Sequence, residues 1–288
     1  MKRLLGPVGA AALLALPHTA WAASPFSVLA AENVYGDVAQ QIGGADVAVT
    51  SILNNPDQDP HMFEVSAAVA RAVAAARIVV ANGIDYDPWM QHLLAATRGQ
   101  TRRTIVVATL AGRKAGDNPH LWYDTAVMRT YATALARDLA ASDPAHAADY
   151  DARLGRFRES LIPIERKIAD IRTHYAGTRV TATEPVFGLM FETLGMLVSN
   201  MPFQMAVMND TEPTAAEVAA FEDDLRGRKV RLLLYNSQAT DALATRMATL
   251  ARAARIPVVA VTETEPRGVT YQAWMLRELE AVERALAD

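Results

Sequence analysis

The sequence predicts an α/β protein of two lobes, each a mainly parallel sheet flanked by helices, joined by one long interdomain helix. Three observations carry this. Short apolar runs alternate with helix-period segments in the first half of the chain, the rhythm of strand–helix–strand units that pair in parallel. Near Asp143 the rhythm stops. From Pro144 to Tyr175 the chain holds Gly155 as its lone glycine, no β-branched run, and many Arg, Asp, Glu and Ala residues. The rhythm then restarts.

In chain order, 26–31 and 47–53 read as strands with a helix over about 35–42 between them. Residues 64–76 form an alanine-rich helix, and 78–81 a short buried strand. Residues 88–96 are helical, with Pro88 at the favoured first position, and 104–110 is a strand. The stretch 144–175 reads as one helix of roughly 30 residues and 45 Å, bent near Pro163. In the second half, 179–183, 229–235 and 256–261 are strands, whereas 217–225, 239–254 and 271–287 are helices. Thr214 followed by Glu217 forms a capping box that starts one of them. The domain plan is a first lobe over 23–143, a linking helix over 144–175 and a second lobe over 176–288. The competing layout is a single larger α/β domain with a protruding helix.

Residues 1–22 read as a secretory signal. Lys2 and Arg3 form the charged start, 9–16 the apolar stretch, and Ala20-Trp21-Ala22 the cleavage pattern. The apolar stretch is shorter than the roughly 20 residues of a membrane span, so a retained anchor is the lesser alternative. Export of a soluble mature chain is expected. With no cysteine, neither disulfides, thiolate metal sites nor the lipid anchor of a lipoprotein is available. The formal net charge of −4 becomes more negative when Lys2 and Arg3 leave with the signal. That balance argues against a nucleic-acid binder, which would present a basic face.

Two short motifs carry the chemistry. One is Asp59-Pro60-His61-Met62-Phe63-Glu64, and the other is Asn118-Pro119-His120-Leu121-Trp122-Tyr123-Asp124. Proline fixes its own φ and restricts the residue before it, so each imidazole follows a stiffened loop. Both fall between a predicted strand and a predicted helix, where loops gather at the carboxyl ends of parallel strands. Neutral imidazole is the commonest metal-ligating side chain. Of the other histidines, His18 leaves with the signal, whereas His92, His146 and His174 sit in helical patterns with polar neighbours. Asp124 reads equally as an acceptor orienting His120 and as a helix cap. The loop of Asn82, Gly83, Ile84 and Asp85 is placed over the site, with Trp89 in the core. The methionine-rich stretch 201–208 reads as packing rather than as a soft metal patch.

With these motifs in this order, the chain resembles the periplasmic metal-binding receptors of ABC importers for zinc, manganese and iron, the cluster A-I group. The long central helix resembles that group's rigid interdomain backbone. Thr262-Glu263-Thr264, followed by Gly268, Tyr271, Trp274 and Met275, resembles its C-terminal segment. The resemblance implies a metal site of His61, His120, Glu184 and Glu263, one pair from each lobe. Glu184 stands in Thr183-Glu184-Pro185-Val186-Phe187-Gly188, where the family places its third ligand. Glu263 replaces the usual aspartate, and Glu265 lies close by as an alternative. The cargo implied is one divalent ion, Mn or Zn with Fe possible. Glutamate at the third position and the lack of a histidine-rich loop favour Mn, yet nitrogen and oxygen donors bind Zn more tightly than Mn. The implied partner is an inner-membrane ABC permease, with a monomeric receptor in the periplasm and no enzymatic activity. A secreted metallohydrolase, or a metal-binding adhesin or store on the same fold, is the rival reading. No H-E-x-x-H or G-x-S-x-G motif supports the first rival.

Overall fold

The computed structural model describes residues 25–57, 60–97, 102–209, 211–239 and 242–287, apart from the side chain of His61. The signal expected over 1–22 lies outside these residues. The first lobe contains β1 (Phe26–Glu32), α1 (Asn33–Gly43), β2 (Val47–Leu53), α2 (Ala67–Ala75), β3 (Ile78–Ala81), α3 (Pro88–Ala96), β4 (Arg103–Val106), α4 (Val107–Leu110) and α5 (Thr125–Ser142). A rod of α6 (Ala147–Ser160) and α7 (Ile162–Tyr175) follows. The second lobe contains β5 (Arg179–Ala182), α8 (Gly188–Leu194), β6 (Leu197–Val198), α9 (Met201–Met208), α10 (Ala215–Arg226), β7 (Leu233–Asn236), α11 (Ala242–Ala253), β8 (Val258–Val261) and α12 (Tyr271–Ala287).

Each lobe is a four-stranded sheet with all neighbours parallel, ordered β2-β1-β3-β4 and β6-β5-β7-β8. Parallel strands are covered on both faces and so read as continuous apolar runs. β3 is the clearest case, since all four of its residues are buried. The rod breaks at Leu161. Pro163 has no N–H to donate and its ring crowds the carbonyl four residues back, so α7 restarts there with the proline in its first turn. A continuous apolar core runs from β1 and α1 through Leu121, Trp122 and Tyr123 to Phe187, Tyr271 and α12. Smaller clusters cover the other face of each sheet.

Several boundaries differ from the sequence reading for identifiable reasons. The strand expected over 104–110 ends at Val106. Beyond it the chain turns into α4, and the Ala108 N–H bonds to the Asn82 carbonyl. The helix expected from residue 64 starts at Ala67, because Ser66 Oγ accepts the Val69 N–H and caps it there. Residues 229–232 are not strand: the Lys229 N–H closes the end of α10 on the Asp224 carbonyl. α5, to which the sequence reading gave no range, is capped by Asp124, whose Oδ1 accepts the Ala126 N–H. The capping box is present, with Thr214 and Glu217 each bonding the other's backbone.

Candidate metal centre

His120 sits beyond α4 and heads the short turn Leu121–Tyr123. Its side chain is wholly buried, boxed edge-on by the rings of Tyr86 and Trp122 at 5.8 and 5.5 Å. Asn118 sets its orientation. Asn118 Nδ2 donates to the Pro185 carbonyl at 2.6 Å, so Oδ1 is the end that accepts, from the His120 backbone N–H at 3.0 Å and from His120 Nδ1 at 2.8 Å. In the neutral ring this leaves the lone pair on Nε2, which faces Glu263 Oε2 at 3.3 Å. A lone pair facing a carboxylate oxygen needs a cation or a proton between them. Gly188 makes this arrangement possible, because a Cβ there would come within 2.6 Å of Asn118 Nδ2.

Glu184 and Glu263 arrive from the second lobe. β5 ends at Ala182, and Pro185 holds Glu184 extended, with φ −144° and ψ 159°. β8 stops at Val261, so Glu263 lies in the loop beyond it. Both carboxylates are buried. Asn236, at the end of β7, joins them: its Nδ2 donates to Glu184 Oε2 at 2.8 Å and to Glu263 Oε1 at 2.7 Å. The Asn236 amide is oriented by its other end, where Oδ1 accepts the Gln238 N–H. Gln238 then fixes the ligand loop, since its Oε1 accepts the N–H groups of Glu263 and Thr264 at 2.6 and 3.1 Å.

Tyr86 reaches across from the first lobe and donates to Glu263 Oε2 at 3.0 Å. Burial, followed by the Glu263 charge, pushes the phenol well above its usual range, which keeps it a donor. Its loop is strained. Gly83, Ile84 and Asp85 have φ of 83°, 50° and 63°, and a β-branched residue in that region is an outlier. The Asp87 carboxylate holds the loop by accepting the N–H groups of Asn82 and Gly83, both at 2.8 Å.

The structure therefore brings two of the four expected residues, His120 and Glu263, into contact at a buried point between the lobes, and ties Glu184 to Glu263 through the Asn236 amide. His61 lies in the turn Pro60–Met62 after β2, and its side chain is outside the described residues. Among those residues, no three histidine, aspartate or glutamate side chains form a group ready to hold an ion. The Asn236 amide occupies the space between the two glutamates. Glu265 faces elsewhere: its N–H donates to Asn33 Oδ1, its carbonyl accepts from Asn33 Nδ2, and burial beside Asp37 raises its carboxyl to about 9. Asp124 caps α5 rather than touching His120, whose Nδ1 partner is Asn118. Trp89 packs against the core and against Phe63. Met205 and Met208 of α9 line, with Tyr86 and Pro119, a cavity of about 140 Å³ beside the site. Sequence reasoning missed Asn118, Asn236, Gln238 and Tyr86. For Asn236 and Gln238 the available signal was two amides directly after an apolar run, at the carboxyl end of a parallel strand.

The profile of the ZnuA family, described as zinc-uptake complex component A, periplasmic, matches residues 28–285. The chain belongs to this family. Its relatives include the manganese ABC transporter substrate-binding lipoprotein PsaA of Streptococcus anginosus, 21% identical over 90% of this chain and 89% of that protein. The high-affinity zinc uptake protein ZnuA of Paracoccus denitrificans is 19% identical over 67% of this chain and 70% of its own length. Among solved structures, the periplasmic zinc-binding protein TroA of Treponema pallidum superposes with a TM-score of 0.77 at 17% identity, over 92% of this chain and all of that one. The protein FpvC of Pseudomonas aeruginosa, solved with Mn²⁺, gives 0.76 at 18% identity, over 91% and 98%. These likenesses establish the two-lobed fold. Unlike relatives named as lipoproteins, this chain has no cysteine. Among the described residues no helix is long and apolar enough to cross a membrane.

Proposed function

We propose that this chain is the exported solute-binding receptor of an ABC-type metal importer. It captures one divalent transition-metal ion between its lobes and delivers the ion to an inner-membrane permease, with no chemical step on the cargo. The observation that carries this is the convergence of His120 Nε2 and Glu263 Oε2, 3.3 Å apart and wholly buried, with Glu184 tied to the same point through Asn236. Family membership supports it. His61, His120, Glu184 and Glu263 would supply two nitrogen and two oxygen donors, a set that suits Mn, Zn or Fe. The signal of 1–22 directs the chain to the periplasm, where it acts as a monomer with lobes over 23–143 and 176–288 and the rod of 144–175 between them.

Elemental analysis of protein purified without added metal tests this reading, followed by chelation and reloading with Zn or Mn. One ion per chain is expected. Binding to the folded state alone stabilises by RT ln(1 + [L]/Kd), about 4 kcal/mol at a thousandfold excess over Kd. Reloading should therefore raise the melting temperature by several degrees, and no shift with Zn, Mn, Fe, Co or Ni overturns the proposal.

A further inference from the structure

At the opposite end of the second sheet, Arg228, Arg231 and Arg255 line one pocket of about 260 Å³, with Pro257 and Ala285 on its walls. Arg231 precedes β7, whereas Asn236 ends it. At roughly 3.3 Å per residue the two lie up to about 16 Å apart, so this pocket is separate from the metal centre.

Three features set it apart from an ordinary solvated basic surface. The first is charge left unmatched. Nearby Arg226 and Arg246 both pair with Glu222, and Lys229 pairs with Asp224. Among the described residues, Arg228, Arg231 and Arg255 have no carboxylate partner, and the Arg231 guanidinium donates to the Leu286 carbonyl while its backbone N–H bonds the Arg179 carbonyl. The second is backbone. α10 and α11 end in the same way: Lys229 N–H bonds back to Asp224, and Ile256 N–H to Ala251. This closure places one residue in the left-handed region, where glycine is the default. Both helices put arginine there, at φ 52° for Arg228 and 56° for Arg255. Side chains resist that region, and residues held in it cluster at functional sites. The third is the other lobe. There the arginines at the start of the third and fourth strands are engaged: Arg77, before β3, lies over the Phe26 ring, Arg102, before β4, donates to the carbonyls of Val73 and Leu94, and Arg103, the first residue of β4, pairs with Asp138.

We propose that this pocket binds a small multiply charged phosphate compound, a phosphate ester or pyrophosphate. Guanidinium forks match tetrahedral oxyanions with paired hydrogen bonds. Three guanidinium groups with no carboxylate partner among the described residues suit a ligand of at least two negative charges, and Pro257 and Ala285 offer a surface to the carbon portion of an ester. The site is independent of the metal reading.

Calorimetric titration with pyrophosphate and with glycerol 3-phosphate, at an ionic strength of about 0.15 M, tests it on the full mature chain. One-to-one binding is expected with Kd below about 1 mM. Sulfate should bind at least about tenfold more weakly than pyrophosphate. The double variant Arg228→Gly, Arg255→Gly is expected to weaken binding more than about tenfold while its melting temperature rises, because glycine relieves both left-handed positions. Arg231→Ala, at an ordinary backbone position, keeps the test decisive if the glycine pair folds poorly, and a similar loss is expected. No saturation with either phosphate compound, equal binding of sulfate, or wild-type affinity in Arg231→Ala overturns the proposal.

Discussion

Both lobes order their strands second, first, third, fourth, and both put an acid near the end of the first strand and an asparagine at the end of the third. Glu32 closes β1 and Glu184 follows β5, while Asn82 follows β3 and Asn236 ends β7. The side chains then diverge. In the second lobe the asparagine NH₂ is shared by two carboxylates. In the first, Asn82 donates to the carbonyls of Gly83 and Pro119 and accepts from the Tyr35 hydroxyl. Glu32 is left buried with neither carboxyl oxygen bonded. Burial, then the neighbouring Asp87, holds it well above the usual carboxylate range. One topology thus presents acids at equivalent places, with an amide donor beside Glu184 and none bonded to Glu32. The first lobe supplies imidazole instead.

The largest expected effect follows from that division. His120→Ala and Glu184→Gln each remove a donor from one lobe, so each should weaken metal binding by at least about a hundredfold, beyond the usual cost of losing a group behind a ligand. Glu32→Gln should leave affinity within a few-fold. Competition titration against a chelator measures all three. Comparable losses in Glu32→Gln and Glu184→Gln would erase the distinction between the lobes.

The asparagines give the next effect. Asn236→Leu strands two buried carboxylates without their shared donor, at about 1–3 kcal/mol each. Metal would neutralise them, so the metal-dependent rise in melting temperature should be larger than in wild type. Asn82→Leu should also cost stability, by orphaning the Pro119 carbonyl, but its metal-dependent rise should not grow. Thermal unfolding with and without Zn separates the two.

Glu32 makes a smaller, pH-dependent contribution. Its carboxyl ionises near 4.5 in the unfolded chain and well above that in the fold. The folded state therefore holds the proton over that interval, and stability falls as pH rises through it. Glu32→Gln removes the titration. The variant should match wild type near pH 4.5 and exceed it by a margin that grows toward pH 8. A constant difference across that range would mean that Glu32 ionises in the fold as it does in the unfolded chain.

The sequence made the sheets legible because parallel strands leave continuous apolar runs, and the rod because its charged, alanine-rich stretch holds one glycine and no β-branched run. It made His61 and His120 conspicuous because proline stiffens the loops that carry them, whereas Glu184 came from the family resemblance. The amides were another matter. Asn118, Asn236 and Gln238 act through which end of each amide faces which backbone group, and neither composition nor spacing encodes that. β6, with two residues, was too short to leave a period. Glu263 over Glu265 is a question of direction. β8 ends before either, so strand alternation had no purchase on them, whereas the pairing of Glu265 with Asn33 turns it toward α1.

The smallest effect concerns the loops after the asparagines. After Asn82 the chain passes through three left-handed residues, Gly83, Ile84 and Asp85, whereas none occurs between Asn236 and Ala239. Left-handed backbone costs an L-residue roughly 1–2 kcal/mol, and aspartate tolerates it better than most. Ile84 is a poor place to relieve that cost, since it is half-buried against the core and its side chain would be lost. Asp85 is exposed. In Asp85→Gly the strain is relieved, but the freer unfolded chain takes back about 0.5–1 kcal/mol. The net gain should be near 0.5 kcal/mol, a rise of about 1–2 °C in the melting temperature for a chain of this size. The same loop aims Tyr86 at Glu263, so a glycine that lets it wander should lower metal affinity a few-fold while stability rises. If stability rises and affinity is unchanged, the left-handed run is only a way of turning the chain, and the two loops differ in shape without differing in purpose.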